Sequence, residues 1–197
     1  MVAYVFDKIL AKGVRQGQIP ARTQSARTWF RNTAKKVSIT PTALMKEDRT
    51  QLKNRAAIGK MYFFTYDPKH KKTLPYYDRF PLIFKVQNVA GGFHGINMHY
   101  LPLPLRAKLM DALYDLASNT KYDEGTKLKI SYQILKGISK VFRPTFKMYL
   151  NEHVRSRFLE ISSTDWDMAL FLPLENFEKA SKSQVWRDSR AEIKKGR

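Results

Sequence analysis

The sequence predicts an α+β fold, in which a basic helical N-terminal region precedes a small antiparallel β-sheet and a helical C-terminal half. Three observations support this prediction: apolar residues recur at helical spacing before residue 40, aromatic runs typical of strands lie between residues 60 and 101, and a leucine stripe follows residue 104. The chain has 197 residues, of which 43% are hydrophobic and 13% aromatic, so it can bury a core of ordinary domain size.

The first 60 residues combine two predicted helices with most of the positive charge. Val5, Phe6 and Ile9 lie at helical spacing, and a second amphipathic pattern precedes residue 40. This segment carries 13 basic and 3 acidic side chains, a net charge of +10 out of +19 for the whole chain. We therefore predict a basic N-terminal arm or subdomain over residues 1–59 and a globular α+β domain over residues 60–197.

The next part of the chain predicts three strands. Residues 61–66, 80–86 and 93–101 are aromatic or alternate in character, and polar or glycine-containing turns separate them. Short connections favour antiparallel pairing, and the resulting small sheet could close into an SH3-like barrel.

The C-terminal half, over about residues 104–193, predicts mainly helices. Leucines four positions apart from Leu105 onward form one apolar stripe, and residues 126–141 repeat this pattern. The segment 146–154 fits either a helix or a strand, and a last helix is expected over residues 174–193.

The residues needed for metal or nucleophilic catalysis are absent or scattered. The chain has no cysteine, which excludes disulfides, thiolate zinc sites and a cysteine nucleophile. His94 and His99 would point to opposite faces of one strand, which does not suit a shared metal. Asp67 and Asp78 could serve as the metal-holding carboxylate pair of a nuclease, but capping of turns and loops explains them better. We therefore expect a protein that is not an enzyme and holds no metal.

No apolar run approaches the roughly 20 residues of a membrane span, and the N-terminus does not resemble a secretory signal. We expect no membrane partner.

The charge balance predicts a polyanionic partner, with nucleic acid the first expectation. Cations interleaved with aromatic residues suit phosphate contacts and stacking on unpaired bases. The predicted DNA-binding cations are Arg15, Arg22, Arg27, Arg31, Lys35, Lys36, Lys69, Lys71, Lys72 and Arg79. The rings that could stack on bases are Trp29, Tyr76 and Tyr77. The alternative for each ring is burial in the core.

Three stretches carry a resemblance to a known family. They are Gly13-Val-Arg-Gln-Gly-Gln-Ile-Pro-Ala-Arg22 with Ala26-Arg-Thr-Trp-Phe-Arg31, Met61-Tyr-Phe-Phe-Thr-Tyr-Asp-Pro-Lys69 with Leu74-Pro-Tyr-Tyr-Asp-Arg-Phe-Pro-Leu82, and Gly92-Phe-His-Gly-Ile-Asn-Met-His-Tyr-Leu-Pro102 with Leu105-Arg-Ala-Lys-Leu-Met110. Over roughly residues 13–110 the chain resembles the DNA end protector, or head-completion, proteins of T4-like tailed bacteriophages.

The resemblance implies a virion protein, made in the host cytoplasm, that associates with the termini of linear double-stranded DNA and shields them from host exonuclease. It implies no cofactor, and it implies other virion proteins as further partners. A structural neck, tail or baseplate protein of such a phage, whose basic surface contacts acidic subunits or DNA in the channel, stays open as an alternative. A nuclease is the third alternative.

Overall fold

The computed structural model describes residues 4–18, 23–47, 51–117, 120–141 and 143–195. The helices are α1 (Val5–Arg15), α2 (Gln24–Ala34), α3 (Pro41–Glu47), α4 (Leu103–Ala117), α5 (Glu124–Val141), α6 (Trp166–Ala169) and α7 (Lys182–Lys195). The strands are β1 (Leu52–Lys53), β2 (Met61–Phe63), β3 (Tyr77–Asp78), β4 (Leu82–Val89), β5 (Gly92–Asn97), β6 (Phe146–Leu150), β7 (Phe158–Ile161) and β8 (Phe177–Glu178).

Six of the strands form one antiparallel sheet in the order β1-β7-β2-β4-β5-β6, and β3 pairs with β8 in a second, two-stranded sheet. The predicted α+β class is confirmed. The large sheet is open, so it does not form the closed barrel that the sequence allowed. Its two edge strands, β1 and β6, each pair with a single neighbour.

The C-terminal half supplies strands as well as helices. The ambiguous segment after residue 145 forms β6, which pairs with β5 in the register Ile96↔Phe146. Strand β7 inserts between β1 and β2, with Met61 opposite Ile161. Sheet formation therefore joins residues about 100 positions apart.

One face of the large sheet packs on the helices. Its side chains include Met61, Phe84 and Ile96, which lie in register on neighbouring strands. They share a single buried core with Phe6 of α1 and Phe30 of α2. The basic N-terminal helices thus pack on the body of the protein, while the division into residues 1–59 and 60–197 stays a prediction.

We call the opposite side of the sheet the aromatic face, defined by a second buried cluster. Its members are Tyr62, Phe64, Tyr66, Ile83, Phe93, Tyr149 and Phe158. The partly buried hydrophobic residues that pack on this cluster, Ala56 and Val154, lie between strands rather than in helices. The same face carries Lys85 and Lys147, which the register places on either side of Gly95.

Within the described ranges, no helix combines the length and apolar character that a membrane crossing requires.

Candidate nucleic-acid interface

Two of the predicted DNA-binding cations, Arg27 and Arg31 of α2, are buried, with 1% and 6% of their surface exposed. Arg27 Nε donates to Asp167 Oδ2 at 2.7 Å, and Arg31 Nε donates to Asp167 Oδ1 at 2.9 Å. Both guanidinium groups also contact Asp111 Oδ1, at 3.0 and 2.8 Å. These pairs join α2 to α4 and α6.

The surroundings of Arg27 and Arg31 favour a structural role. Burial opposes the charge of Arg31, but hydrogen bonds and attraction from Asp111 and Asp167 outweigh it and raise the pKa of Arg31. The Arg27 guanidinium also lies 4.2 Å from the ring centroid of Tyr114. A phosphate could reach either guanidinium only after these contacts were broken, so phosphate binding by this pair stays a prediction that the geometry does not favour.

Lys36 and Trp29 lie together in a groove between α1 and α2. This helical groove has a volume of about 450 Å³, and its polar and charged lining residues are Lys8, Lys12, Gln16, Thr33 and Lys36. Within the described ranges, no carboxylate lines this groove. Trp29 is half-buried, with its ring edge-on to Phe30 at 4.9 Å, so part of the indole remains accessible.

Lys8 and Lys12 were not among the predicted contacts. Their spacing of four positions on a predicted helix was the available signal, because residues at i and i+4 share one helix face.

The other N-terminal cations are solvent-exposed or outside the described residues. Arg15 is exposed. Lys35 is exposed, hydrogen bonds to Asn32 Oδ1 at 3.3 Å, and has its Nζ 5.2 Å from the ring centroid of Phe171. Arg22 lies outside the described residues.

A second cavity, of about 450 Å³, lies between the turn that follows residue 66 and strand β6. We call it the aromatic pocket. Five tyrosines line it, namely Tyr66, Tyr76, Tyr77, Tyr100 and Tyr149. Lys69, His70 and Lys147 also line it. Three residues predicted from the sequence, Lys69, Tyr76 and Tyr77, therefore meet in one place, and both tyrosines are half-buried rather than core.

A buried polar network fixes one wall of the aromatic pocket. Asn97 Nδ2 donates to Asp78 Oδ2 at 3.0 Å and to Tyr149 Oη at 3.1 Å. His99 Nδ1 lies 2.8 Å from Asp78 Oδ2. Burial raises the pKa of Tyr76, and it raises the pKa of Tyr149 and Tyr100 further. Tyr76, Tyr100 and Tyr149 therefore stay neutral and present ring surface without repelling phosphate.

Lys147 is a further cation of the aromatic pocket, and it was not among the contacts predicted from the sequence. Its Nζ lies 4.1 Å from the ring centroid of Tyr100, and burial lowers the pKa of Lys147. The alternating pattern of residues 146–150 on a strand would have placed Lys147 and Tyr149 on one face.

The remaining predicted cations of this region are exposed. Lys71 pairs with Asp67 at 2.9 Å, and Arg79 pairs with Glu178 at 3.2 Å. Exposed pairs contribute little free energy, about 0–1 kcal/mol, so both cations can exchange their partner for a phosphate. Lys72 is exposed, and its backbone carbonyl accepts from Lys179 Nζ at 2.9 Å.

Within the part of the chain that the structure describes, no group of three or more His, Asp or Glu side chains could hold a metal ion. The groove and the aromatic pocket are lined by lysines, aromatic rings and amides, and the pocket also by the carboxylate of Asp78.

Comparison with known proteins decides the family. The family model described as the Phage T4 terminal DNA protecting protein matches residues 2–190. The chain belongs to this family. Membership confirms the resemblance drawn from residues 13–110 and extends it over nearly the whole chain, and it supports a phage DNA-end protecting role. No curated protein and no solved structure matches the chain.

Proposed function

We propose that this protein binds the ends of linear double-stranded DNA, without catalysis, and so keeps exonuclease from the termini. The observation that carries the proposal is the aromatic pocket, in which five tyrosines and two lysines face one cavity in a protein of the DNA-protecting family.

The aromatic pocket suits an unpaired terminal base. A ring that stacks on a base stabilises the complex by roughly 1–3 kcal/mol, and it does so for any base. Base pairs inside a duplex have both faces covered by neighbours, whereas a frayed end exposes one. Tyr76 and Tyr77, which are partly exposed at the pocket, therefore favour ends over interior sequence.

The cations around the aromatic pocket supply the phosphate contacts. Lys69 and Lys147 line the cavity, and Lys71, Lys72 and Arg79 lie nearby in sequence. Contacts to phosphate position a protein on DNA but carry no sequence information, which is what a protector of arbitrary termini requires.

We further propose that the protein acts in the phage particle, next to the packaged genome and to other virion proteins. Family membership supports this location over a role away from DNA. The neck, tail or baseplate alternative would require binding to virion subunits without a preference for DNA ends.

End selectivity tests the proposal directly. The dissociation constant should be lower for a linear duplex with frayed ends than for a closed circle of the same sequence. Replacing Tyr76→Ala and Tyr77→Ala together should weaken binding to the linear duplex by about tenfold or more, because each lost stacking contact costs roughly 1–3 kcal/mol. Binding to the circle should change little.

The matched control is Tyr122→Ala, which removes an exposed tyrosine that lines none of the three clefts described in this protein. Thermal denaturation of each variant verifies that it is folded. Equal losses on linear and circular DNA in the double variant would contradict stacking at ends.

A further inference from the structure

A third cleft, of about 660 Å³, opens on the aromatic face and has no place in the function proposed so far. We call it the polar cleft. Its charged and polar lining residues are Asn54, Arg55, Lys85, Asn88, Asn151 and Ser156. Among the residues that the structure describes, no carboxylate lines it, and its volume falls in the usual range of small-ligand sites, about 300–1,000 Å³.

Lys85 is the most informative residue of the polar cleft because it is a buried cation without an acidic partner. It is 7% exposed, its Nζ donates to the carbonyl oxygen of Ala56 at 2.6 Å, and it lies 5.1 Å from the ring centroid of Phe93. Among the described residues, no carboxylate lies within 4.0 Å of its Nζ. Burial lowers the pKa of Lys85. A buried ammonium without a counterion is unfavourable, and an anion in the cleft would offset that cost.

Ser156 is engaged by the chain, because its hydroxyl accepts from Thr65 N at 2.9 Å and donates to the carbonyl oxygen of Arg157 at 2.8 Å, but Arg55 and the asparagines of the cleft are available to a ligand. The side-chain amides of Asn54, Asn88 and Asn151 form no hydrogen bond to the described parts of the chain, and Arg55 forms no ion pair with them. An amide NH₂ group and a guanidinium donate hydrogen bonds, and a phosphate oxygen accepts them. The described lining residues of the cleft thus supply hydrogen-bond donors and positive charge, and none of them is an anion.

The polar cleft adjoins the aromatic pocket. Phe93 lines the cleft, Tyr149 lines the pocket, and their rings stack with centroids 5.4 Å apart and an interplanar angle of 23°. One aromatic pair therefore separates the two cavities. Tyr66 of the pocket and Val154 of the cleft are likewise joined by a β-bridge.

We infer that the polar cleft binds a phosphate group of DNA next to the terminal base that the aromatic pocket receives. This inference rests on the proposed function. Lys85 and Arg55 supply the charge, and the asparagine amides supply further donors. Both a terminal phosphomonoester and an internal phosphodiester present this chemistry.

Two variants of the full-length protein test the inference. Lys85→Met keeps the length of the buried side chain and removes its charge, and Arg55→Gln changes an exposed residue that carries little risk to folding. Lys60→Gln is the control, because Lys60 pairs with Glu160 and does not line the cleft. The probes are inorganic phosphate, followed as the shift in melting temperature against chloride at equal ionic strength, and duplexes with 5′-phosphate ends, 5′-hydroxyl ends or no ends.

We expect inorganic phosphate to raise the melting temperature of the wild type and of Lys60→Gln more than that of either cleft variant. We also expect each cleft variant to lose about tenfold in affinity for DNA, the loss typical of one charge-assisted hydrogen bond. A loss confined to 5′-phosphorylated ends would assign the cleft to the terminal phosphate. An equal loss on all duplexes would assign it to a phosphodiester.

An unchanged phosphate response in both cleft variants, together with unchanged DNA affinity, would overturn the inference. The wild type could bind no DNA while its shift in melting temperature with inorganic phosphate still depends on Lys85 and Arg55. That result would contradict the proposed binding to DNA ends but support an anion site in the polar cleft.

Discussion

At the scale of single residues, positive charge in this protein serves two purposes. Arg27 and Arg31 form ion pairs with Asp111 and Asp167. Lys36 and Lys69 instead line cavities. Net charge alone could not separate these groups, because Asp167 lies 140 positions from Arg27 in the chain. Local composition therefore locates the excess of positive charge but does not identify which of the cations reach solvent.

The stability of single variants distinguishes cations in buried ion pairs from cations that are exposed. Replacing Arg27→Ala leaves Asp167 without one of its partners, and removing one member of a buried ion pair typically costs about 3–5 kcal/mol. Urea denaturation should show this loss in the free energy of unfolding. The exposed Arg15→Ala is the matched control and should change it by less than about 0.5 kcal/mol. A stable Arg27→Ala protein with weakened DNA binding would instead support the phosphate contact predicted from the sequence.

At the scale of elements, the periodicity of apolar residues was sufficient to predict α1 and α2 but not the groove between them. The groove depends on close packing at Gly13, where an added Cβ would lie 2.4 Å from Cζ of Phe30. Strand β7 was not predicted either, because it pairs with β1 and β2, which lie about 100 residues earlier in the chain. Contacts of this range leave no local signal.

Salt dependence measures the contribution of the helical groove. Each cation that neutralises a phosphate adds about 0.9 to the slope of log K against log salt. The triple variant Lys8→Gln, Lys12→Gln, Lys36→Gln should therefore reduce the slope magnitude by up to about 3, as measured by DNA titrations at several salt concentrations.

A second triple variant provides the comparison. It replaces three exposed lysines outside the groove, Lys108, Lys194 and Lys195, by glutamine. A similar reduction in both variants would indicate diffuse attraction between DNA and a basic surface rather than contacts in the groove.

At the scale of the whole molecule, the two faces of the large sheet differ. Its helix-covered face holds the main core, and its aromatic face carries the polar cleft and adjoins the aromatic pocket. The sequence was sufficient to predict the α+β class and the DNA-protecting family, and it singled out Lys69, Tyr76 and Tyr77, which line the aromatic pocket. It could not predict the polar cleft, because Lys85 sits in an apolar strand and the loop residues that line the cleft with it come from two distant segments, 54–56 and 151–156.

The central claim is that the protein occupies DNA termini, and the most direct measurement is protection of linear duplex from an exonuclease as a function of the protein-to-end ratio. Occupied ends predict slow digestion at about one or two proteins per end, while an endonuclease still cuts interior sites and no DNA is lost to the protein alone in magnesium. Protection only at protein concentrations that coat the whole duplex, or no protection at all, would contradict the account.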